Sequence, residues 1–264
     1  MLEKQGNLFS GNGVSPESGK LLETKAARAL PTSLSDESLL IEIMEAGLSD
    51  GPSLIAEVER RKLATAIPLL EKLCSRFAGF GADLIIPEQV AALRALAAIG
   101  GREAARSVAK LIERAIIQGP TLNIAANVAA SLGSDLPNNI VHQLLAHADQ
   151  EVRADACRCA KPTPDTMSIL IDLLGDLDRR VNVAAACALG RMGNRNALPV
   201  LSQTLREAPS TEVIEAISGV ADEDCIILLG RILQTDAALS CAAREALDTL
   251  DHPRAVQIIG HLGL

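Results

Sequence analysis

The chain has 264 residues, 48% of them hydrophobic, and a formal net charge of -8 at pH 7. It contains no Trp or Tyr and only three Phe, so its apolar mass is Ala, Leu, Ile and Val, and Ala and Leu head the helix propensity ranking. The acidity argues against a nucleic-acid binder, which needs clustered Lys and Arg, although a local basic stripe escapes such an average. No run approaches the roughly 18 apolar residues of a membrane span.

Taken in order, residues 1–32 read as a tail. Gly, Ser, Asn, Pro and Glu dominate as far as Gly19, no apolar signal segment is present, and Leu21 to Leu30 spell a short helix that Pro31 ends. Residues 33–50 read as an acidic capping helix, opened by a Ser33–Asp36 capping box, with Leu39, Leu40, Ile43 and Met44 on one side. Residues 51–264 then repeat one unit. A small-residue helix returns around Ala95, Ala126, Ala156, Ala185, Ala216 and Ala243, anchors that lie 27 to 31 residues apart by subtraction. The pattern starts with Leu54 to Lys62. A second helix follows each time, in Ala64 to Arg76, Glu103 to Ala115, Asn138 to Ala148, Pro164 to Gly175, Asn196 to Glu207, Asp224 to Gln234 and Pro253 to Leu262. Ile86-Pro87, Gly119-Pro120, Thr163-Pro164 and His252-Pro253 place proline where a helix can start.

The unit is plainest in Val181 to Glu207. Ala184, Ala185, Ala188 and Leu189 make one tight face, Gly190, Gly193 and Asn194 punctuate it, and Leu198, Leu201 and Leu205 carry the stripe of the second helix. Pro68, Leu70 and Cys74 match Pro199, Leu201 and Leu205 position for position. Two such helices cannot bury their apolar faces alone, so the pattern demands stacking.

V-x-x-A-A-x-x-A-L-G, a Gly/Asn turn and then A-L-P-x-L-x-x-x-L resembles the HEAT repeat, in particular the short bacterial variety also found in phycobilisome-lyase-like proteins. The resemblance covers about residues 50–264 and implies an all-α fold, a right-handed α-solenoid of about seven helical pairs with the second helices on its concave face. Val213 to Asp224 reads as lacking the Gly after its first helix, Ala160-Lys161-Pro162 replaces the usual Leu-Gly in another unit, and the loop from Phe77 to Pro87 is longer than its counterparts. Irregular bends are expected at these three places.

The family is mostly made of binding scaffolds, with a lyase-like branch that handles bilin chromophores. A di-iron hydroxylase branch uses His-Glu pairs, and none of His142, His147, His252 and His261 precedes a Glu. A base-excising branch needs aromatic residues and a basic face. The six cysteines form no C-x-x-C pair, and Cys157 and Cys159 point about 200° apart on a helix, so they read as buried, reduced thiols of a cytoplasmic protein. Asp155, Asp172, Asp176 and Asp178 read as solvated carboxylates without a triad partner.

The expected function is therefore a non-catalytic protein-interaction scaffold without a cofactor, metal or membrane anchor, the alternative being a bilin-lyase-like enzyme or chaperone. Aligned on their paired apolar positions, the second helices bring Lys72, Lys110, Gln143, Asp172, Gln203, Arg231 and Gly260 into one column. Spaced about 10 Å apart, the first six make a ridge for an acidic segment of a partner protein. Ala255, Ile258, Ile259 and Leu262 leave an apolar end that a second copy would cover, giving a homodimer.

Overall fold

The computed structural model describes residues 30–46 and 50–261. The expected tail helix over Leu21 to Leu30, apart from its last residue, and the terminal Leu262 and Leu264 lie outside them. All regular structure among the described residues is helical. A 3-10 turn, Pro31–Ser33, leads into α1 (Asp36–Glu45). Seven antiparallel pairs follow: α2 (Gly51–Arg61) with α3 (Ile67–Arg76), α4 (Pro87–Ile99) with α5 (Gly101–Glu113), and α6 (Pro120–Ser131) with α7 (Asn138–Leu145). After them come α8 (Gln150–Arg158) with α9 (Pro164–Leu173), α10 (Arg179–Arg191) with α11 (Leu198–Glu207), α12 (Thr211–Ser218) with α13 (Glu223–Thr235), and α14 (Ser240–Thr249) with α15 (Pro253–His261). The all-helical α-solenoid expected from the repeat is the fold observed.

Local chemistry explains where the helices start. Asp149, Thr163, Asp178, Ser210 and Asp222 each accept a backbone N–H at the head of a helix. Proline takes one of the first two positions in α2, α3, α4, α6, α9 and α11. The match between Pro68 and Pro199 extends further: both helices are preceded by a 3-10 turn, Ala64–Ala66 and Arg195–Ala197. Two boundaries differ. Ser33 ends the first 3-10 turn and Ser35 caps α1 instead, its hydroxyl accepting from Ser38 N at 3.2 Å. Helix α7 stops at Leu145 rather than Ala148, because the carbonyls of His147 and Ala148 turn outward to accept from Arg153 Nη1 at 2.9 Å each.

The two layers are not equivalent. Each first helix packs on the next, from α2 through α4, α6, α8, α10 and α12 to α14. Among the second helices α3 packs on α5, α7 on α9, α11 on α13 and α13 on α15, whereas α5 with α7 and α9 with α11 make no such packed pair. Side-chain size is the cause. Ala184, Ala185, Ala186, Cys187 and Ala188 are all buried, so α10 is enclosed by α8, α9, α11 and α12 at close range. At the end of α10, a Cβ on Gly190 would stand 2.5 Å from the Ala216 carbonyl, and one on Gly219 would stand 2.4 Å from the Gly190 carbonyl. The unit read as lacking a Gly after its first helix therefore has one: Gly219 caps α12 directly after Ser218, and the α10–α12 junction stays tight.

Arg61, on α2, closes the N-terminal end. Its guanidinium donates to the carbonyls of Leu34 at 2.9 Å and Pro31 at 3.1 Å and to Asp36 Oδ1 at 2.8 Å, tying the capping segment down. Buried Glu57 accepts from Arg60 Nε at 2.8 Å and from Arg61 Nε at 2.7 Å. Those hydrogen bonds hold its carboxyl down at about 2.

Replacing Gly190 by Ala should destabilise the chain by about 1–3 kcal/mol through overpacking. Gly260→Ala, where no atom lies within 4 Å of the new Cβ, should stabilise it by about 0.5–1 kcal/mol; urea unfolding of both variants checks the opposed signs. Glu57 titrates lower in the folded chain than its ordinary 4.5, so its stabilising effect is complete above that value and is lost as pH falls through about 2. An acid titration of helicity should show this component in the native chain and lack it in Glu57→Gln.

Candidate functional site

The best-formed concavity lies on the first-helix side, across α6, α8, α10 and the junction of α11 with α12. It has a volume of about 510 Å³. Its floor is small and apolar: Ala154, Val183, Ala184 and Val213. Close packing of these helices leaves no room for larger side chains there, which is why the surface sinks. The rim is polar and is organised as two rails one helical turn apart. On the first, Asn123 Nδ2 donates to Glu151 Oε2, and Arg180 Nη1 donates to Glu151 Oε1 at 3.0 Å. On the second, Asn127 Nδ2 donates to Asp155 Oδ1 at 3.4 Å, and Arg158 Nη1 donates to the same oxygen at 2.5 Å.

Arg158 then reaches on to Glu212, with Nε to Oε1 at 3.1 Å and Nη2 to Oε2 at 3.3 Å. This staple joins α8 to α12 across the intervening α10. Arg191 of α10 supports Glu212 from the other side at 3.6 Å. At the outer rim, Arg179 pairs with Glu207 at 2.5 Å.

The carboxylates expected to be solvated are built in. Asp155 is 5% exposed, and burial pushes its carboxyl up from the usual range while Arg158 and Asn127 oppose the shift. Asp176 takes both ends of the Arg153 guanidinium at 2.9 and 3.0 Å, which holds its pKa down. Asp178 Oδ1 caps α10 at Arg180 N, the same 2.8 Å geometry that Asp149 uses at Glu151 N one repeat earlier. Asp172 alone of the four is exposed without such a partner among the described residues.

The second-helix column is exposed throughout. Lys72, Lys110, Gln143, Asp172, Gln203 and Arg231 sit one each on α3, α5, α7, α9, α11 and α13. Lys72 and Lys110 line one groove, of about 590 Å³, between α3 and α5. Along the column, α5 and α7, and again α9 and α11, meet less closely than the other neighbouring second helices. Gly260 is exposed on α15, where Ala255 is buried, Ile258 lies against Gly230 of α13, and Val256 is 67% exposed.

Most of the histidines and cysteines are engaged or buried. His142 Nε2 lies 2.8 Å from Thr166 Oγ1, and the Nδ1 atoms of His147 and His252 accept backbone N–H groups at Asp149 and Arg254. Cys74, Cys157, Cys187 and Cys225 are buried thiols pushed up to about 12 chiefly by desolvation; Cys159 is half-buried and Cys241 is exposed. No cluster of three or more metal-ligating side chains occurs among the described residues.

Aligning the first helices rather than the second would have found the cleft: Asn123, Glu151 and Arg180 follow one another at 28 and 29 residues, one per repeat.

Stacked helical pairs whose first helices form one continuous layer define a repeat solenoid. Residues 138–221, spanning α7 to α12, match the family model for HEAT repeats. No curated protein matches the sequence.

Arg158→Ala should destabilise the fold by about 1–3 kcal/mol, since it leaves Asp155 desolvated without its cation. The pH dependence should move with it. Asp155 holds its proton to higher pH folded than unfolded, so it subtracts stability as pH rises above the ordinary carboxylate range. Removing Arg158 should steepen that fall, and Asp155→Asn should abolish it, as read from urea midpoints across the range.

Proposed function

We propose that the chain is a non-catalytic protein-interaction scaffold that seats a segment of a partner protein in the first-helix cleft. HEAT repeats are commonly interaction scaffolds, and they are generally non-catalytic. The observation that carries the reading is the cleft itself: an apolar floor of Ala154, Val183, Ala184 and Val213 inside a rim of paired arginines and carboxylates. Such a floor takes small apolar side chains, while the rim offers donors and acceptors to a peptide backbone. Each rim charge is already neutralised, so the cleft selects by shape and hydrogen bonding rather than by net charge. No described helix is long and apolar enough to cross a membrane. Buried thiols that need a reducing environment fit a cytoplasmic location.

A second docking face, the column from Lys72 to Arg231, is favoured at its N-terminal end by the groove that Lys72 and Lys110 share. A bilin-handling role draws less support, because the chain has no Trp or Tyr to flank a tetrapyrrole.

Ala208, exposed on the cleft rim, gives the test. Quantitative affinity capture from lysate of the source cells should return a protein that the native chain retains and Ala208→Trp loses by about tenfold, with helicity unchanged. Capture indifferent to this variant would remove the cleft as the docking site. A visible absorbance shift on mixing with bilin would turn the reading towards a chromophore role.

A further inference from the structure

The charges that rim the first-helix cleft are paired, whereas of the cations along α5 only Lys110 is, among the described residues. Arg102, Arg106 and Lys110 stand at i, i+4 and i+8 on that helix, all exposed, and exposed Arg114 follows at its C-terminal cap. Only Lys110 has an ion-pair partner among the described residues, Glu71 of α3 at 3.6 Å. Neither Arg102, Arg106 and Arg114 nor Lys72 on the neighbouring helix has one there. Four uncompensated cations within two helices of a chain whose net charge is -8 is a strong local reversal.

The surroundings leave this stripe accessible from both sides. Towards α3 lies the groove of about 590 Å³, lined by Lys72, Arg106 and Lys110 together with Glu71 and Glu103. Towards the turn between α6 and α7 lies another of about 630 Å³, lined by Arg102, Arg106 and Lys110 over Ala105 and Ala109, together with Glu113 and Asp135. From Arg102 to Lys110 the cations run about 12 Å along the helix, one every 6 Å. That spacing matches carboxylates at every fourth residue of a second helix.

We infer that α5 and the flank of α3 dock an acidic segment of another protein, its carboxylates paired with Arg102, Arg106, Lys110 and Lys72 and its apolar side chains set against Ala105 and Ala109. This deepens the second-helix reading and is independent of the cleft. Glu103 and Glu113, exposed on the same helix, select the partner's chemistry. They repel a continuous phosphate backbone but are avoided by a peptide with discrete, spaced charges. The chain has no Trp or Tyr on which bases would stack.

A fluorescently labelled peptide with glutamate at every fourth position, titrated into the full chain, reads this out by anisotropy. Binding should be saturable and weaken as salt approaches about 1 M, where screening shortens to about 3 Å. It should fall about tenfold or more in Arg102→Glu/Arg106→Glu and by a smaller factor in the neutral Arg102→Gln/Arg106→Gln pair, with circular dichroism unchanged. Ala208→Trp should leave it untouched, so failure of the cleft and failure of this surface are told apart. No saturable binding, equal binding by the charge-reversed chain, or tighter binding of a single-stranded oligonucleotide or a phosphatidylserine vesicle would overturn the assignment.

Discussion

The architecture depends on how closely one first helix can approach the next. At the centre of the array the contact is backbone against backbone: the carbonyls of Ala216 and Gly190 occupy the space that side chains at Gly190 and Gly219 would need. Alanines at Ala184, Ala185, Ala186 and Ala188 extend that closeness along α10. Dispersion and burial in such a layer come from many small contacts, so an added methyl group is felt at once. The second helices carry larger side chains, Leu70, Leu111, Leu145, Leu170, Leu201 and Leu229, each fully buried, and cannot close up in step.

The repeat presents two different surfaces. On the first-helix side, arginines and carboxylates of successive repeats come within hydrogen-bonding distance and neutralise one another, culminating in the Arg158–Glu212 staple across α10. On the second-helix side the cations of α5 find few partners.

Buried charge is used sparingly. Asp155 and Glu57 are both nearly inaccessible, yet they titrate in opposite directions. Glu57 accepts hydrogen bonds from two arginines and stays ionised, whereas at Asp155 desolvation outweighs one arginine and one amide. The first closes the N-terminal end through Arg61, and the second ties α6 and α8 together at the edge of the cleft.

Helix class, period and number of pairs were legible in the sequence because they follow from near-neighbour chemistry. Ala and Leu propensity, prolines at helix starts, and a small-residue face returning every 27 to 31 residues, by subtraction, require nothing beyond one repeat and its neighbour. The exposed second-helix column was legible for the same reason, since heptad-like spacing sets which side chains face outward. The cleft was not. Its walls come from four successive repeats, and its polar rails exist only once α6, α8, α10 and α12 are laid side by side. Asp155 looks like any helix-surface carboxylate until the neighbouring layer covers it, and Arg158 and Glu212, 54 residues apart, meet only because α10 is thin enough to bridge. Local pattern determined the elements and their order, and the sum of small differences in helix spacing, a property of the assembled stack, decided which face became the site.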